Sequence, residues 1–208
     1  MPSLTPDELL TTTRAVRKRL DLSRPVDRAT VMECLRLALQ APTGGNREGW
    51  RWLVITEPAR RAEVARIYRE AALEPFTAAR DAAADIATRK AYEGALWLAD
   101  AMPRVPVLVL PCSLGVVDPP TANGYASFYG SIIPAVWSFQ LALRSRGLGS
   151  TYTTVHLRRA AEMAALLGIP AGVTQVALLP VAYTKGTTFR PAARRPAEEV
   201  TYFERWSR

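Results

Sequence analysis

Ala41-Pro42-Thr43-Gly44-Gly45-Asn46-Arg47-Glu48-Gly49-Trp50 joins an apolar helical pattern, Val31 to Leu39, to a strand-like run, Arg51 to Thr56. Pro42 stops the helix, the paired glycines open backbone conformations closed to other residues, and an asparagine follows at once. A loop built this way can bring main-chain amides and one side-chain amide against a flat polar ligand. It can equally be a tight turn between two elements, and the pattern alone leaves both readings open.

Working outward, Thr5-Pro6-Asp7-Glu8 supplies an N-cap, a proline at the first helical position and an acidic first turn, so a helix starts there. Asp27 to Gln40 repeats apolar side chains at Val31, Leu35 and Ala38, with Cys34 and Leu37 widening the stripe. Trp52 to Ile55 reads as a short strand, and Pro58 opens a helix to about Leu73. Phe76 to Ala101 reads as one or two alanine-rich helices, and Val105 to Leu110 as a buried strand. Leu114 to Asn123 holds Gly, two Pro and Asn and reads as a loop that could act as a lid. Tyr125 to Arg146 predicts a long, apolar central helix despite Pro134, ended by Gly147 and Gly149. Arg158 to Leu167 is a further helix, Val173 to Tyr183 the last strand, and a Pro/Arg-rich tail begins at Gly186. Helices outnumber strands without regular strand–helix alternation, so the fold class is α+β. No internal repeat or linker divides the chain, and residues 1–208 read as a single domain.

Composition narrows the chemistry. The chain has 208 residues, 49% apolar and 22% charged, which is ordinary globular usage. No uninterrupted apolar run approaches the ~20 residues of a membrane span, and Asp7 and Glu8 stand where an export signal would carry basic and apolar residues, so the expectation is a cytoplasmic protein. Cys34 and Cys112 fall inside apolar patterns and read as buried thiols. A single histidine, His156, removes most metal-site and triad chemistry from consideration. The net charge of +8 comes from 24 Arg and 3 Lys scattered along helices, with no stripe or nucleic-acid motif, which argues against nucleic acid but leaves room for an anionic ligand such as a phosphate.

Three basic or loop clusters could carry chemistry: Arg14 to Arg19, the Pro42 to Trp50 loop, and Arg190 with Arg194 and Arg195. Arginines three apart at a helix end or turn can clamp a phosphate bidentately, although such clusters are more often solvated faces. Gly147-Leu148-Gly149 fails as a dinucleotide fingerprint, because Tyr152 stands in place of the third glycine and a helix precedes it where a strand is required.

Together these segments resemble the FMN-dependent nitroreductase superfamily over nearly the whole chain. The resemblance rests on Thr13-Arg14-Ala15-Val16-Arg17 with Pro25-Val26, on Ala41 to Trp50, on Gly147-Leu148-Gly149-Ser150, on Leu179-Pro180-Val181-Ala182-Tyr183, and on Arg194-Arg195-Pro196 with Glu198-Glu199-Val200. It implies a nitroreductase-like sandwich, a central mixed sheet enclosed by helices, forming an intertwined homodimer with one FMN at each end of the interface. It further implies that Arg14, Ala15 and Arg17 bind the phosphate and ribityl side of FMN. Pro42, Thr43, Gly44 and Asn46 of a second copy would line the ring, the backbone around Thr153 and Thr154 would approach its N5, and Arg194 and Arg195 would complete the phosphate clamp. Tyr125, Phe128 and Tyr129 are the expected substrate-facing wall, with an ordinary surface loop entering a helix as the equal alternative.

The implied activity is reduction of nitroaromatic, quinone or related electron-poor acceptors by NAD(P)H through a ping-pong hydride mechanism, with no catalytic side chain of the protein's own. Alternatives are relatives of different chemistry (flavin destructase, dehalogenase or azoline oxidase) and a non-catalytic flavin or nucleic-acid binding protein. Two departures stand out. Thr13 and Ala15 replace an Arg and a Ser of the usual first motif, and Asn46-Arg47-Glu48-Gly49-Trp50 replaces Asn-x-Gln-Pro-Trp.

Overall fold

The computed structural model describes residues 4–118 and 120–206. Each long helix starts on a side-chain cap. Thr5 and Glu8 form a reciprocal capping box at α1 (Pro6–Thr12), Asp27 caps α2 (Arg28–Ala38), Glu57 caps α3 (Pro58–Asp81), Asp85 caps α4 (Ile86–Ala101) and Thr121 caps α5 (Ala122–Ser145). A last helix, α6 (Ala160–Leu167), ends on Gly168 at φ 65°, the left-handed geometry that glycine adopts without penalty.

The strands are β1 (Trp50–Ile55), β2 (Val107–Leu114), β3 (Leu148–Ser150), β4 (Val173–Gln175) and β5 (Leu179–Tyr183). They pair in the order β1-β2-β5-β3, with β4 continuing beside the far end of β2. Among the described residues all four ladders are antiparallel, and parallel pairing enters only through the isolated bridges Ala15–Ser150 and Gly115–Val173.

β2 explains the sandwich. Its alternate side chains face opposite layers: Val107 and Val109 pack with α2 and α5, whereas Leu108, Leu110 and Cys112 pack with α3, α4 and α6. A strand covered on both faces reads as a continuous apolar run, which is why Val107 to Leu110 lacks the polar alternation of a surface strand. Cys34 and Cys112 are buried, as their patterns suggest, and burial pushes their thiols up to about 11 and about 12, so both stay protonated and unreactive near neutral pH.

Several boundaries differ from the sequence reading, mostly at prolines. α3 runs through Pro75 to Asp81, held on the sheet by buried Val64, Ile67, Tyr68, Ala71 and Ala72. The packed face outweighs the one hydrogen bond that proline removes. β2 continues past Pro111, which sits between the stretches paired to β5 and to β4, and its carbonyl accepts from Val176 N–H at 3.0 Å. The expected last strand is split into β4 and β5. The lid loop shortens to 115–121, within which Pro119 lies outside the described residues. Gly147 does end α5, at φ 75°, but Leu148 and Gly149 then form strand β3.

α5, with mean hydropathy 1.2 over its best window, passes the length and composition test for a membrane span. Ile132, Ala135, Val136, Phe139 and Leu143 are nevertheless buried against the sheet, as in a core helix. Its apolar character does extend outward, because Ile133 and Trp137, one turn apart, stand exposed on the opposite side.

Candidate functional site

The first basic cluster is not helical. Thr13 caps the end of α1, and residues 14–16 run extended along the edge of β3, with Val16 N–H donating to Ser150 O at 2.9 Å and Thr151 Oγ1 donating to Val16 O at 2.6 Å, before Arg17 opens a turn to Leu20. Gly149 makes this approach possible. A Cβ there would sit 2.8 Å from Thr184 Cγ2 and 2.9 Å from Val16 Cβ, closer than carbon atoms tolerate. Gly147-Leu148-Gly149 therefore serves packing: it lets the arginine-bearing segment lie on the sheet edge.

Two neighbouring cavities share Arg17. One, of about 510 Å³, is lined by Arg14, Ala15, Arg17, Arg19 and Arg190, with no carboxylate among its lining residues. The other, of about 680 Å³, is lined by Arg17, Tyr68, Tyr92, Thr153, Thr154 and Arg158 among others. Burial holds the Arg17 guanidinium below its ordinary pKa, opposed by the nearby Tyr68 hydroxyl. Burial likewise raises Tyr68, opposed by Thr153 and by Arg17. Thr153 Oγ1 approaches Tyr68 without completing a hydrogen bond of good geometry, so this buried hydroxyl is left without a protein partner. Its backbone is committed, exchanging hydrogen bonds with Leu178 at 3.2 and 2.8 Å. The Thr153 hydroxyl is itself buried, and Thr154 stands on the exposed rim.

Arg14 and Arg19 of the first basic cluster bring the tail here together with two residues that the sequence did not single out, Phe189 and Arg144. Phe189 is clasped between two guanidinium groups, with Arg19 Cζ 4.0 Å and Arg144 Cζ 4.7 Å from its ring centre. Arg19 donates to Thr188 O at 2.8 Å and to Lys185 O at 3.1 Å, Arg144 donates to Thr187 O at 3.0 Å, and Arg14 donates to Arg190 O at 2.8 Å. A buried arginine on an otherwise apolar helix was the available signal for Arg144. Arg194 and Arg195 are exposed and line neither cavity.

The glycine loop lies elsewhere on the protomer. Ser131 of α5 ties it down at both ends: Gly44 N–H donates to Ser131 Oγ at 2.9 Å and the Trp50 indole N–H donates to Ser131 O at 2.7 Å. Gly44 faces Ser127 and Ser131 so closely that a Cβ would meet their hydroxyls at 3.0 and 3.2 Å, and Gly45 takes φ 61°. Asn46 and Glu48 also adopt positive φ, at 52° and 48°, so the loop holds two non-glycine residues in a sparsely populated conformation. Thr43, Gly44 and Phe128 line a separate cavity of about 370 Å³ that has no residue in common with those at Arg17. Pro42 and Asn46 are exposed. Tyr125 stacks on Tyr129 at 6.4 Å, Phe128 meets Tyr129 edge-on at 5.2 Å, and Tyr129 in turn lies near Tyr152 on the rim of the larger cavity. Thus Arg14, Ala15, Arg17, Thr153 and Thr154 come together, whereas Pro42, Thr43, Gly44 and Asn46 lie at a separate place on the chain.

His156 is fully buried just after Thr154, with neither ring nitrogen hydrogen-bonded, and burial pushes its pKa down to about 4. It is a core residue rather than one that faces the cavities.

The nitroreductase family model matches residues 10–183, and the chain belongs to that family. Among solved structures it is similar to oxidised iodotyrosine deiodinase bound to FMN and 3-iodo-L-tyrosine, with 20% identity and TM-score 0.74, covering 96% of this chain and 99% of that one. It is similar also to a BluB-like flavoprotein from Clostridium difficile 630, with 19% identity and TM-score 0.73, covering 97% of this chain and 100% of the other. A nitroreductase-like family protein from Bacillus cereus matches with 20% identity and TM-score 0.70 over 98% of each chain. No curated protein matches the chain.

Proposed function

We propose that the chain is an FMN-dependent NAD(P)H oxidoreductase that acts on nitroaromatic, quinone or related electron-poor acceptors. The observation that carries this reading is the pair of cavities meeting at Arg17, one cationic and free of carboxylates, the other walled by aromatic side chains and by Thr153 and Thr154. That set of side chains fits FMN: a dianionic phosphate is matched by guanidinium groups, and a flat ring with polar edges is matched by a cavity with aromatic and threonine walls. Arg14, with the Ala15 backbone beside it, would hold the phosphate. Arg17 would lie toward the ring, Thr153 and Thr154 at its edge, and Arg194 and Arg195 would close on the phosphate from the tail.

When bound, FMN supplies hydride acceptance and donation at its N5, so the protein needs no acid or base of its own for that transfer. The chain's part is electrostatic and geometric. A cation beside the ring favours an anionic reduced form, and a partly buried guanidinium does so more strongly than an exposed one because screening is weaker there.

The active form we infer is an intertwined homodimer in which Pro42, Thr43, Gly44 and Asn46 of a second copy cover the flavin. The exposed apolar positions Ile133 and Trp137 on α5 and Met32 and Leu37 on α2 support an interface on that face. So does the separation of the glycine loop from Arg14 and Arg17 within one protomer. The test is direct. Purified protein should be yellow, elute as a dimer and bleach when NADH or NADPH is added without oxygen. Protein that stays colourless after FMN is supplied sinks the reading.

A further inference from the structure

The larger cavity has a second cation whose role the flavin does not fill. Among the described residues only two charged side chains line it, Arg17 and Arg158, and no carboxylate does. Arg158 shares its turn with Arg159, yet the two differ. Arg159 is saturated, pairing with Glu70 and with Glu162 at 2.6 Å in a network that Arg66 extends to Glu162 at 3.1 Å. Among the described residues Arg158 makes neither an ion pair nor a side-chain hydrogen bond.

An exposed, unpaired arginine is ordinary by itself; its surroundings distinguish this one. The cavity wall facing it comes from the α3–α4 hairpin and is apolar and aromatic, with Pro75, Ala91 and Ala95 around Phe76 and Tyr92, whose rings are tilted at 6.0 Å. Tyr152 stands at the rim. A slot of that kind takes a flat ring, and a guanidinium at its mouth takes a carboxylate bidentately. A ligand bearing an ammonium group finds no lining carboxylate to receive it.

We propose that Arg158 selects an aromatic electron acceptor carrying a carboxylate, seated against the α3–α4 hairpin in the part of the cavity that FMN leaves open. This rests on the flavin reading above, in which Arg17, Thr153 and Thr154 serve FMN; the acceptor takes the rest of the same cavity, on the side of Arg158 and the hairpin. A phosphate-bearing nicotinamide donor is also an anion with an aromatic ring, so the two sources are separated in the test.

The experiment titrates FMN-loaded protein with benzoate and with benzamide, which share size and ring but differ in charge and accept no hydride. Binding is followed by calorimetry, so that a spectrally silent ligand is still counted, and bound FMN is measured by absorbance in every sample. Benzoate should bind at least tenfold more tightly than benzamide. Arg158→Gln should reduce that preference below twofold, and Arg158→Lys should keep part of it. Equal affinities in the unaltered protein, no benzoate binding, or a preference that survives Arg158→Gln each overturn the proposal. If Arg158→Gln slows flavin reduction by NADPH while the benzoate preference persists, the guanidinium serves the donor and the acceptor proposal fails. Protein that retains no FMN fails at the earlier step, visibly in its absorbance, and takes this inference with it.

Discussion

The single histidine sets a pH dependence that can be worked out in advance. His156 is fully buried with neither nitrogen paired, and its pKa is pushed down from 6.5 to about 4 by burial. Above pH 6.5 the imidazole is neutral in both folded and unfolded chains, and its contribution is constant. Between 6.5 and 4 the unfolded chain takes up a proton that the folded chain refuses, so stability falls as pH falls. Below about 4 both states are protonated and the loss is complete. At 1.36 kcal/mol per pKa unit, the full interval corresponds to about 3 kcal/mol, of which about 2 kcal/mol is lost between pH 7 and pH 5.

Replacing His156 with Leu removes the titration and leaves a side chain of similar size. It also removes an unsatisfied polar group, so His156→Leu should equal or exceed the parent at pH 7. Urea denaturation at pH 7 and pH 5 is the assay. With an m value of about 2 kcal/mol/M, the parent's midpoint should drop about 1 M more than the variant's. Taking the difference between the two proteins cancels what they share, including titration of any bound phosphate. The lowered capping carboxylates Asp27, Glu57 and Asp85 titrate mostly below this window and are common to both. Midpoints that fall in parallel would refute the picture of a buried, unpartnered imidazole.

Gly149→Ala would force a Cβ to within 2.8 Å of Thr184 Cγ2 and 2.9 Å of Val16 Cβ, costing about 1–3 kcal/mol and weakening FMN binding as residues 14–17 shift. Thermal melting and flavin titration read the two effects, and no change in either would show that the segment does not lie on β3. Arg14→Ala with Arg17→Ala should weaken FMN binding at least tenfold while circular dichroism stays unchanged, and a flavin-fluorescence titration at parental affinity would move the phosphate site elsewhere. Phe189→Ala removes two cation–π contacts of about 0.5–1 kcal/mol each. Trypsin should then cut after Arg194, the one of the three tail arginines not followed by proline, roughly tenfold faster, and an unaltered digestion rate would show that the clasp does not hold the tail.

Each half of the candidate site has its own anchor in the sandwich. The arginine segment lies on β3 and shares a cavity with Thr153, on the side of the sheet covered by α3 and α4. The glycine loop is fastened to α5, which covers the opposite face. In the proposed dimer, the same apolar character of α5 that buries Phe139 inward presents Trp137 outward to a second copy.

Local chemistry was legible from the residues alone. The cap at Thr5 and the buried apolar run at Val107 to Leu110 depend on a few neighbouring residues. The family motifs likewise lie in contiguous segments, which is why Arg14 to Arg17 and Pro42 to Asn46 stood out before any packing was known. Tertiary structure decided the rest, because the deciding contacts join residues far apart in the chain. α3 passes through Pro75 on account of what its buried face touches, and Gly149 is needed because Val16 and Thr184 close on it. Arg158 differs from Arg159 only through where Glu70 and Glu162 stand. A sequence gives the identity of a charge, but its neighbours determine whether that charge is already neutralised or still open to a ligand.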